Sequence, residues 1–343
     1  MATPLRILYV TSECAPWVKT GGLADVSAAL PPALEAGGAD VRVLMPAYGS
    51  LRPHLAHSRL RAALPAHGPL PDARLIEAPL PSGVPAWLVD APSLYGREGN
   101  PYLDDEGLGW PDNARRFAAL ARAAADLAGP AIDAGWRPDV IHCHDWQAAL
   151  APAYVHFEGL RAATVMTVHN LAFQGLFPAA TLAQTGLPPQ SWSIDGVEYF
   201  GQVSFLKAGL QYADALTTVS PTYATEIQEE PQGMGMQGLL AARRDALTGI
   251  LNGVDTAAWD PSCDPLIPHH YDAIALSGKA QNKRALQARA GLPEDADVPL
   301  LAIVSRLTEQ KGIDFVLEIG PALAELPAQL VVLGAGDRAL EAG

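Results

Sequence analysis

Several short stretches of this chain carry residue types that can do chemistry. Lys19-Thr20-Gly21-Gly22-Leu23-Ala24-Asp25-Val26 follows an apolar run, and Leu23, Val26 and Leu30 then repeat at helical spacing. Two adjacent glycines let backbone approach a ligand with no Cβ between, a helix start offers unpaired N–H groups to an anion, and Lys19 adds a positive charge. A diphosphate suits such a turn. The plainer alternative is an ordinary βα turn with a solvated lysine, because the motif is neither a Walker loop nor G-x-G-x-x-G. In Ser305-Arg306-Leu307-Thr308-Glu309-Gln310-Lys311-Gly312 the two cations sit five residues apart. They either aim at one phosphate pair or stand as an exposed pair on a surface helix.

His142-Cys143-His144-Asp145-Trp146 closes another apolar run. Alternation puts His142 and His144 on one face, so with His169 a metal site is conceivable, against the commoner use of strand-end histidines to satisfy backbone or a polar ligand. Asp145 beside Trp146 offers what a sugar needs, an acceptor for hydroxyls and a flat apolar surface for the ring, although such a pair also serves structurally. Two glycine patterns mimic dinucleotide fingerprints. Gly233-Met234-Gly235-Met236-Gln237-Gly238 follows no strand, and reads as a mobile loop. Gly334-Ala335-Gly336-Asp337-Arg338-Ala339 does follow a strand, but the acidic ribose ligand expected about 20 residues later is absent.

The elements that must position these residues are legible as apolar, β-rich runs at 7–10, 41–45, 86–89, 140–142, 164–168, 215–219, 300–304 and 330–333. Alanine- and leucine-rich stretches with helical spacing lie between them, 114–127 being the clearest, and this alternation predicts an α/β fold with parallel sheets and crossover helices. Ligands in such sheets bind beyond the carboxyl ends of the strands, where the polar motifs fall. Pro31 and Pro32 predict a kink or an early stop in the first helix. The Pro- and Gly-rich stretch 65–111 predicts surface loops or an inserted hairpin. A boundary near residue 250 gives domains of 1–249 and 250–343. About 45 residues follow position 299, where a doubly wound domain needs on the order of 100, so the second domain is expected to be cut short.

With 343 residues and 49% hydrophobic side chains, the chain has the size and composition of two folded domains. Its 23 Lys and Arg against 37 Asp and Glu give a net charge of -14, which provides no diffuse basic field for nucleic acid or an anionic membrane. Cys14, Cys143 and Cys263 form neither a disulfide framework nor a zinc knuckle and fit a reducing, cytoplasmic setting. The first apolar run leads straight into a polar loop, and is expected to be a strand rather than a leader. No stretch of about 18 uncharged apolar residues is available for a membrane span.

Six motifs in this order resemble the bacterial glycogen synthases and plant starch synthases. They are the Glu13 to Asp25 opening, His142-Cys143-His144-Asp145-Trp146, Thr167-Val168-His169-Asn170-Leu171-Ala172-Phe173-Gln174-Gly175, Thr218-Val219-Ser220-Pro221-Thr222-Tyr223-Ala224, Leu251-Asn252-Gly253-Val254-Asp255, and the Arg306 to Lys311 segment. The resemblance implies two Rossmann-like domains of the GT-B type, the first complete and the second begun. It implies a retaining, metal-independent and cofactor-independent transfer of glucose from ADP-glucose to the non-reducing end of an α-1,4-glucan. It also implies roles. Lys19, Gly21, Gly22, Asp25 and Asn252 would bind the donor, with Arg306 and Lys311 on its diphosphate. His169 and Asp145 would stand at the donor glucose, and Glu13, Trp146, Asn170 and, less closely matched, Tyr102 would meet the acceptor. The family's later Glu-rich segment and second Gly-Gly loop have no counterpart here, so little or no synthase activity is expected of this chain alone. A non-catalytic glucan-binding remnant and an NAD-dependent oxidoreductase are the competing readings. Oligomeric state is not legible.

Overall fold

The computed structural model describes residues 3–55 and 58–343. The chain forms two compact units that divide between Gly253 and Val254. In the first, nine strands make one sheet: β1 (Arg6–Val10), β2 (Asp40–Pro46), β3 (Arg59–Leu64), β4 (Ala73–Pro79), β5 (Pro85–Asp90), β6 (Val140–His144), β7 (Ala163–Val168), β11 (Ala215–Thr218) and β12 (Leu247–Gly249). Their order is β12-β11-β7-β6-β1-β2-β5-β4-β3. All pairings from β12 across to β5 are parallel, whereas β4 and β3 add antiparallel at the edge. Three short strands, β8 (Leu176–Pro178), β9 (Glu198–Tyr199) and β10 (Gln202–Ser204), form a separate antiparallel sheet. In the second unit β13 (Leu300–Val304) and β14 (Gln329–Leu333) pair in parallel.

All eight apolar runs are strands; in the first unit this is because a parallel sheet covered on both faces buries consecutive residues, whereas β13 and β14 keep apolar residues exposed. Leu8, Tyr9 and Val10 of β1, with Val43, Leu44 and Met45 of β2, are sealed from solvent. The hairpin expected within 65–111 exists as β4 and β5, which pair antiparallel; β3, just before that stretch, adds to β4, and all three belong to the main sheet instead of standing apart. The helix Asn113–Ala128 packs against β1 and β2, and its alanines let it approach closely.

Of the kink or early stop expected in the first helix, the early stop does not occur. Helix Gly22–Ala36 runs on through Pro31 and Pro32 with neither a stop nor a break in its assignment. Pro31 has no N–H to give the carbonyl four residues back, Ser27. That carbonyl instead accepts from the thiol of Cys14, with Sγ 3.4 Å away. The lost rung is replaced from outside the helix.

Candidate active site at the carboxyl ends of β1, β6 and β7

The strand order places a topological switch in the first unit. From β1 the chain moves to β2 and β5 on one side, then returns through β6 to the other. Parallel α/β sheets bind ligands in the crevice at such a point, beyond the carboxyl ends. Glu13 follows β1, Asp145 follows β6 and His169 follows β7, and these three neighbouring strands bring the three residues to one edge.

Glu13 is 3% exposed and fully engaged. Its Oε2 accepts from the Thr20 N–H at 2.5 Å and from the Gly21 N–H at 3.3 Å, while Oε1 accepts from the Thr20 hydroxyl at 2.7 Å and the Tyr102 hydroxyl at 2.5 Å. Ser12 Oγ lies 2.7 Å from the Tyr102 oxygen and donates to it, since the phenol hydrogen is spent on Glu13. Burial holds the Tyr102 phenol well above its usual range, so it stays a donor. Tyr102 is in turn held by Arg116, a fully buried residue that sequence reading missed. Arg116 donates to the carbonyls of Leu94 and Pro101 and to Asn113 Oδ1, which fixes the segment leading to Tyr102.

The carboxylate thus clamps the Lys19-Thr20-Gly21 loop at the start of helix Gly22–Ala36. No side chain caps that helix, so its first N–H groups are not taken up by a cap. A Cβ built on Gly21 or Gly22 would meet no heavy atom within 4 Å, and neither has positive φ. The fold therefore does not require glycine there, and what the two residues provide is open space beside the helix start. Lys19 Nζ pairs with Asp25 at 2.7 Å, with side chains 52% and 57% exposed. An exposed pair is worth about 0–1 kcal/mol, so Lys19 can leave it for a better anion at little cost.

Asp145 is buried and adopts φ 55°. A left-handed non-glycine backbone costs about 1–3 kcal/mol and tends to gather at functional sites. Its Oδ1 accepts from the His169 N–H at 2.7 Å, and the Asn170 N–H also donates to the carboxylate. Because a trans peptide sets N–H and C=O in opposite directions, the His169 carbonyl is turned away from Asp145. Burial raises the Asp145 carboxyl above its usual range, opposed by His169 and by those N–H groups. Asn170 Oδ1 accepts from the Ala172 N–H, which tightens the same loop.

Behind the loop lies a buried polar strip. Parallel register sets Tyr9 opposite His142, His144 opposite Thr167, and Thr167 opposite Thr217. His144 Nδ1 is 2.9 Å from His169 Nε2, and His142 Nε2 is 2.7 Å from Thr167 Oγ1. Nitrogens this close share a proton, which leaves no room for a cation between them. Among the described residues no group of three or more His, Cys, Asp or Glu is placed to hold a metal. Burial lowers all three imidazole pKa values, His142 to about 4. The strip was partly visible beforehand as His142 and His144, but Tyr9, Thr11 and Ser27 carried no motif. For Tyr9 and Thr11 the available signal was polar residues at alternate positions along an apolar strand and its end, and Ser27, on the first helix, gave none.

Trp146 is half-buried in an aromatic cluster, 4.9 Å from Phe117 and within 6.2 Å of Phe177 and Phe205 between ring centres. A Cβ on Gly175 would fall 2.6 Å from its ring. Asn252 is exposed on the segment that ends the first unit. In the second unit, Arg306 and Lys311 are exposed on one loop after β13, with Lys311 closing the turn Glu309–Lys311. The Gly334 and Gly336 positions have a packing reason: a Cβ would collide with the carbonyl oxygens of Ser305 and Leu307. Those glycines let two strand-end loops touch, which accounts for the pattern without a dinucleotide. The Gly233 pattern follows a turn and leads into helix Gln237–Ala242, and the Met234 carbonyl accepts from Gln174 and Tyr199.

Comparison with known proteins places these observations. Residues 6–242 match the family model described as starch synthase catalytic domain. The glycogen synthase of Aromatoleum aromaticum is 55% identical over 99% of this chain and 69% of its own length, and that of Dechloromonas aromatica 54% identical over 99% and 70%. The catalytic domain of starch synthase IV from Arabidopsis thaliana, bound to ADP and acarbose, superposes with a TM-score of 0.86 at 30% identity, covering 99% of this chain and 70% of that one. A likeness of that extent carries the expected α/β fold of the GT-B type, and among the described residues no helix is long and apolar enough to cross a membrane. On sequence and fold together, the chain belongs to the glycogen and starch synthase family of glycosyltransferases.

Proposed function

We propose that this chain carries the machinery for moving glucose from ADP-glucose to the non-reducing end of an α-1,4-glucan with retention of configuration. The observation that carries the reading is the match over 99% of the chain to a starch synthase holding ADP and acarbose, a nucleotide and an oligosaccharide analogue. The open glycine turn at a helix start, with Lys19 loosely paired beside it, supports the nucleotide side. Breaking the anomeric C–O bond puts negative charge on the departing ADP and leaves an oxocarbenium-like sugar. Cations and N–H groups already in place at the diphosphate help because they interact more strongly as that charge develops. Arg306 and Lys311 are assigned to this task, with Lys19, Gly21 and Gly22 against the donor. For the cationic sugar, the His169 loop is the better candidate than Asp145, whose carboxylate is committed to holding that loop. Glu13 and Tyr102 act by ordering the donor turn, and Asn170 and Trp146 by shaping the loop beside the acceptor.

Incorporation of radiolabelled glucose from ADP-glucose into glycogen tests the reading. Lys311→Ala is expected to lower turnover by about 10²-fold or more, the usual loss on deleting one preorganised donor. An unchanged rate in an active parent enzyme refutes the role. A second reading, glucan binding without turnover, rests on the first unit, within which the family match at residues 6–242 falls. Calorimetric titration that finds maltooligosaccharide binding but no ADP-glucose binding supports it.

A further inference from the structure

We propose that His144 dictates which nitrogen of His169 carries the proton, so that His169 faces the site as an Nδ1–H donor. A relay of single hydrogens sets the protonation. Thr11 Oγ1 donates to the Glu13 carbonyl at 2.9 Å. With its hydrogen committed, Thr11 can only accept from Ser27 Oγ, 3.0 Å away. Ser27 therefore accepts from the Tyr9 hydroxyl at 3.4 Å. The Tyr9 oxygen, having given its hydrogen to Ser27, turns a lone pair toward His144 Nδ1, 3.4 Å away. Nδ1 of His144 thus faces an acceptor and must be the protonated nitrogen.

The other ring nitrogen gives the same answer independently. His144 Nε2 is buried with no hydrogen-bond partner. A buried N–H without an acceptor is rarer and costlier than a bare lone pair, so the proton stays off Nε2. A doubly protonated ring is disfavoured by complete burial between two further imidazoles. The one hydrogen on His144 Nδ1 accordingly goes to the nearer acceptor, His169 Nε2 at 2.9 Å, with the Tyr9 oxygen at 3.4 Å as the weaker second acceptor of the same N–H. A neutral imidazole has one donor and one acceptor nitrogen. His169, accepting at Nε2, must carry its proton on Nδ1, a nitrogen that makes no hydrogen bond among the described residues and is not sealed from solvent. His144 is a positioning residue in this scheme and touches no substrate. Its effect is to make His169 ask for an acceptor, such as a sugar hydroxyl oxygen, and reject a ligand donor at that point. The sugar as the ligand rests on the glucosyl-transfer reading; the tautomer does not.

The test is nitrogen NMR of the full chain labelled at its imidazoles, with the His169 signals identified by their loss in His169→Asn. The expected spectrum at neutral pH shows Nδ1 of His169 protonated and Nε2 bare. His144→Phe, which removes the donor, should shift His169 toward the Nε2–H form that free imidazole side chains prefer. His144→Asn, which keeps an N–H near the place of Nδ1, should preserve the wild-type pattern. In an active parent enzyme kcat/KM should fall about tenfold for His144→Phe and stay near wild type for His144→Asn, the size of one hydrogen bond. His169 protonated at Nε2 in the wild type overturns the proposal, and that measurement needs no variant to fold. An unchanged His169 tautomer in His144→Phe also overturns it. The expected tautomer in a chain that transfers no glucose leaves the proposal standing and counts against the functional reading alone.

Discussion

Glu13 shows how much of this site is side chain holding backbone. Its two oxygens gather four donors from Thr20, Gly21 and Tyr102, and a glutamine in its place has one oxygen to offer. Glu13→Gln should therefore loosen the turn and raise the KM for ADP-glucose by about tenfold, with a smaller change for maltooligosaccharide. Steady-state kinetics against each substrate checks this, and equal effects on both would remove Glu13 from the donor side. The buried imidazoles make a second prediction. The His142 pKa falls to about 4 in the fold because burial disfavours the charged ring, against about 6.5 in an unfolded chain. The unfolded state then binds more protons between these values, so stability is full above pH 6.5 and drains away as pH falls. The loss from His142 alone is about 3 kcal/mol at pH 4. Urea midpoints across that range should drop on acidification, and a His142→Gln variant should flatten the curve.

At the level of elements, the first helix is the instructive one. Two prolines argue locally for an end or a kink, yet the helix continues, and at Pro31 tertiary structure supplies the thiol of Cys14 where the chain cannot supply an N–H. Cys14→Ala should destabilise the protein by about 1 kcal/mol more when Pro31 is present than in a Pro31→Ala background, where the backbone N–H regained at that position can serve the Ser27 carbonyl. A thermal or urea double-mutant cycle measures this coupling, and a value of zero would mean the Cys14–Ser27 contact carries no weight. The strands were legible in advance because burial on both faces leaves long apolar runs. The edge strand β3 was not, since its Arg59, Leu60 and Arg61 are exposed and its apolar run is broken by two arginines, while β4 was foreseen only as one arm of a hairpin. Arg116 was hidden for the opposite reason: an arginine reads as surface, and only the fold reveals the carbonyls that pay for its burial.

At the scale of the molecule, the two units differ in how firmly they are built. The nine-stranded sheet of the first has β1, β6 and β7 at its centre, whereas the second rests on β13 and β14 with Leu301, Val304, Leu330, Val332 and Leu333 all exposed. Hydrogen exchange should therefore release the amides of β13 and β14 well before those of β1 and β6. Equal protection would show that the second unit is held by something other than its own core. The motifs named the loops proposed for the chemistry, but the strand order that gathers Glu13, Asp145 and His169 at one switch point is a long-range property that no single motif contains.

The polar strip across β1, β6, β7 and β11 has one more bearing. In a sheet, sliding a strand by one position exchanges its two faces. Such a slip would push Tyr9, His142 or Thr167 into an oily environment and lift a neighbour such as Val10 or Cys143 into the proton relay. Alignment of the scaffold and alignment of the reactive edge are thus one and the same specification. Anyone transplanting this chemistry to another parallel sheet or barrel would have to carry over the strand interiors as well as the loops above them.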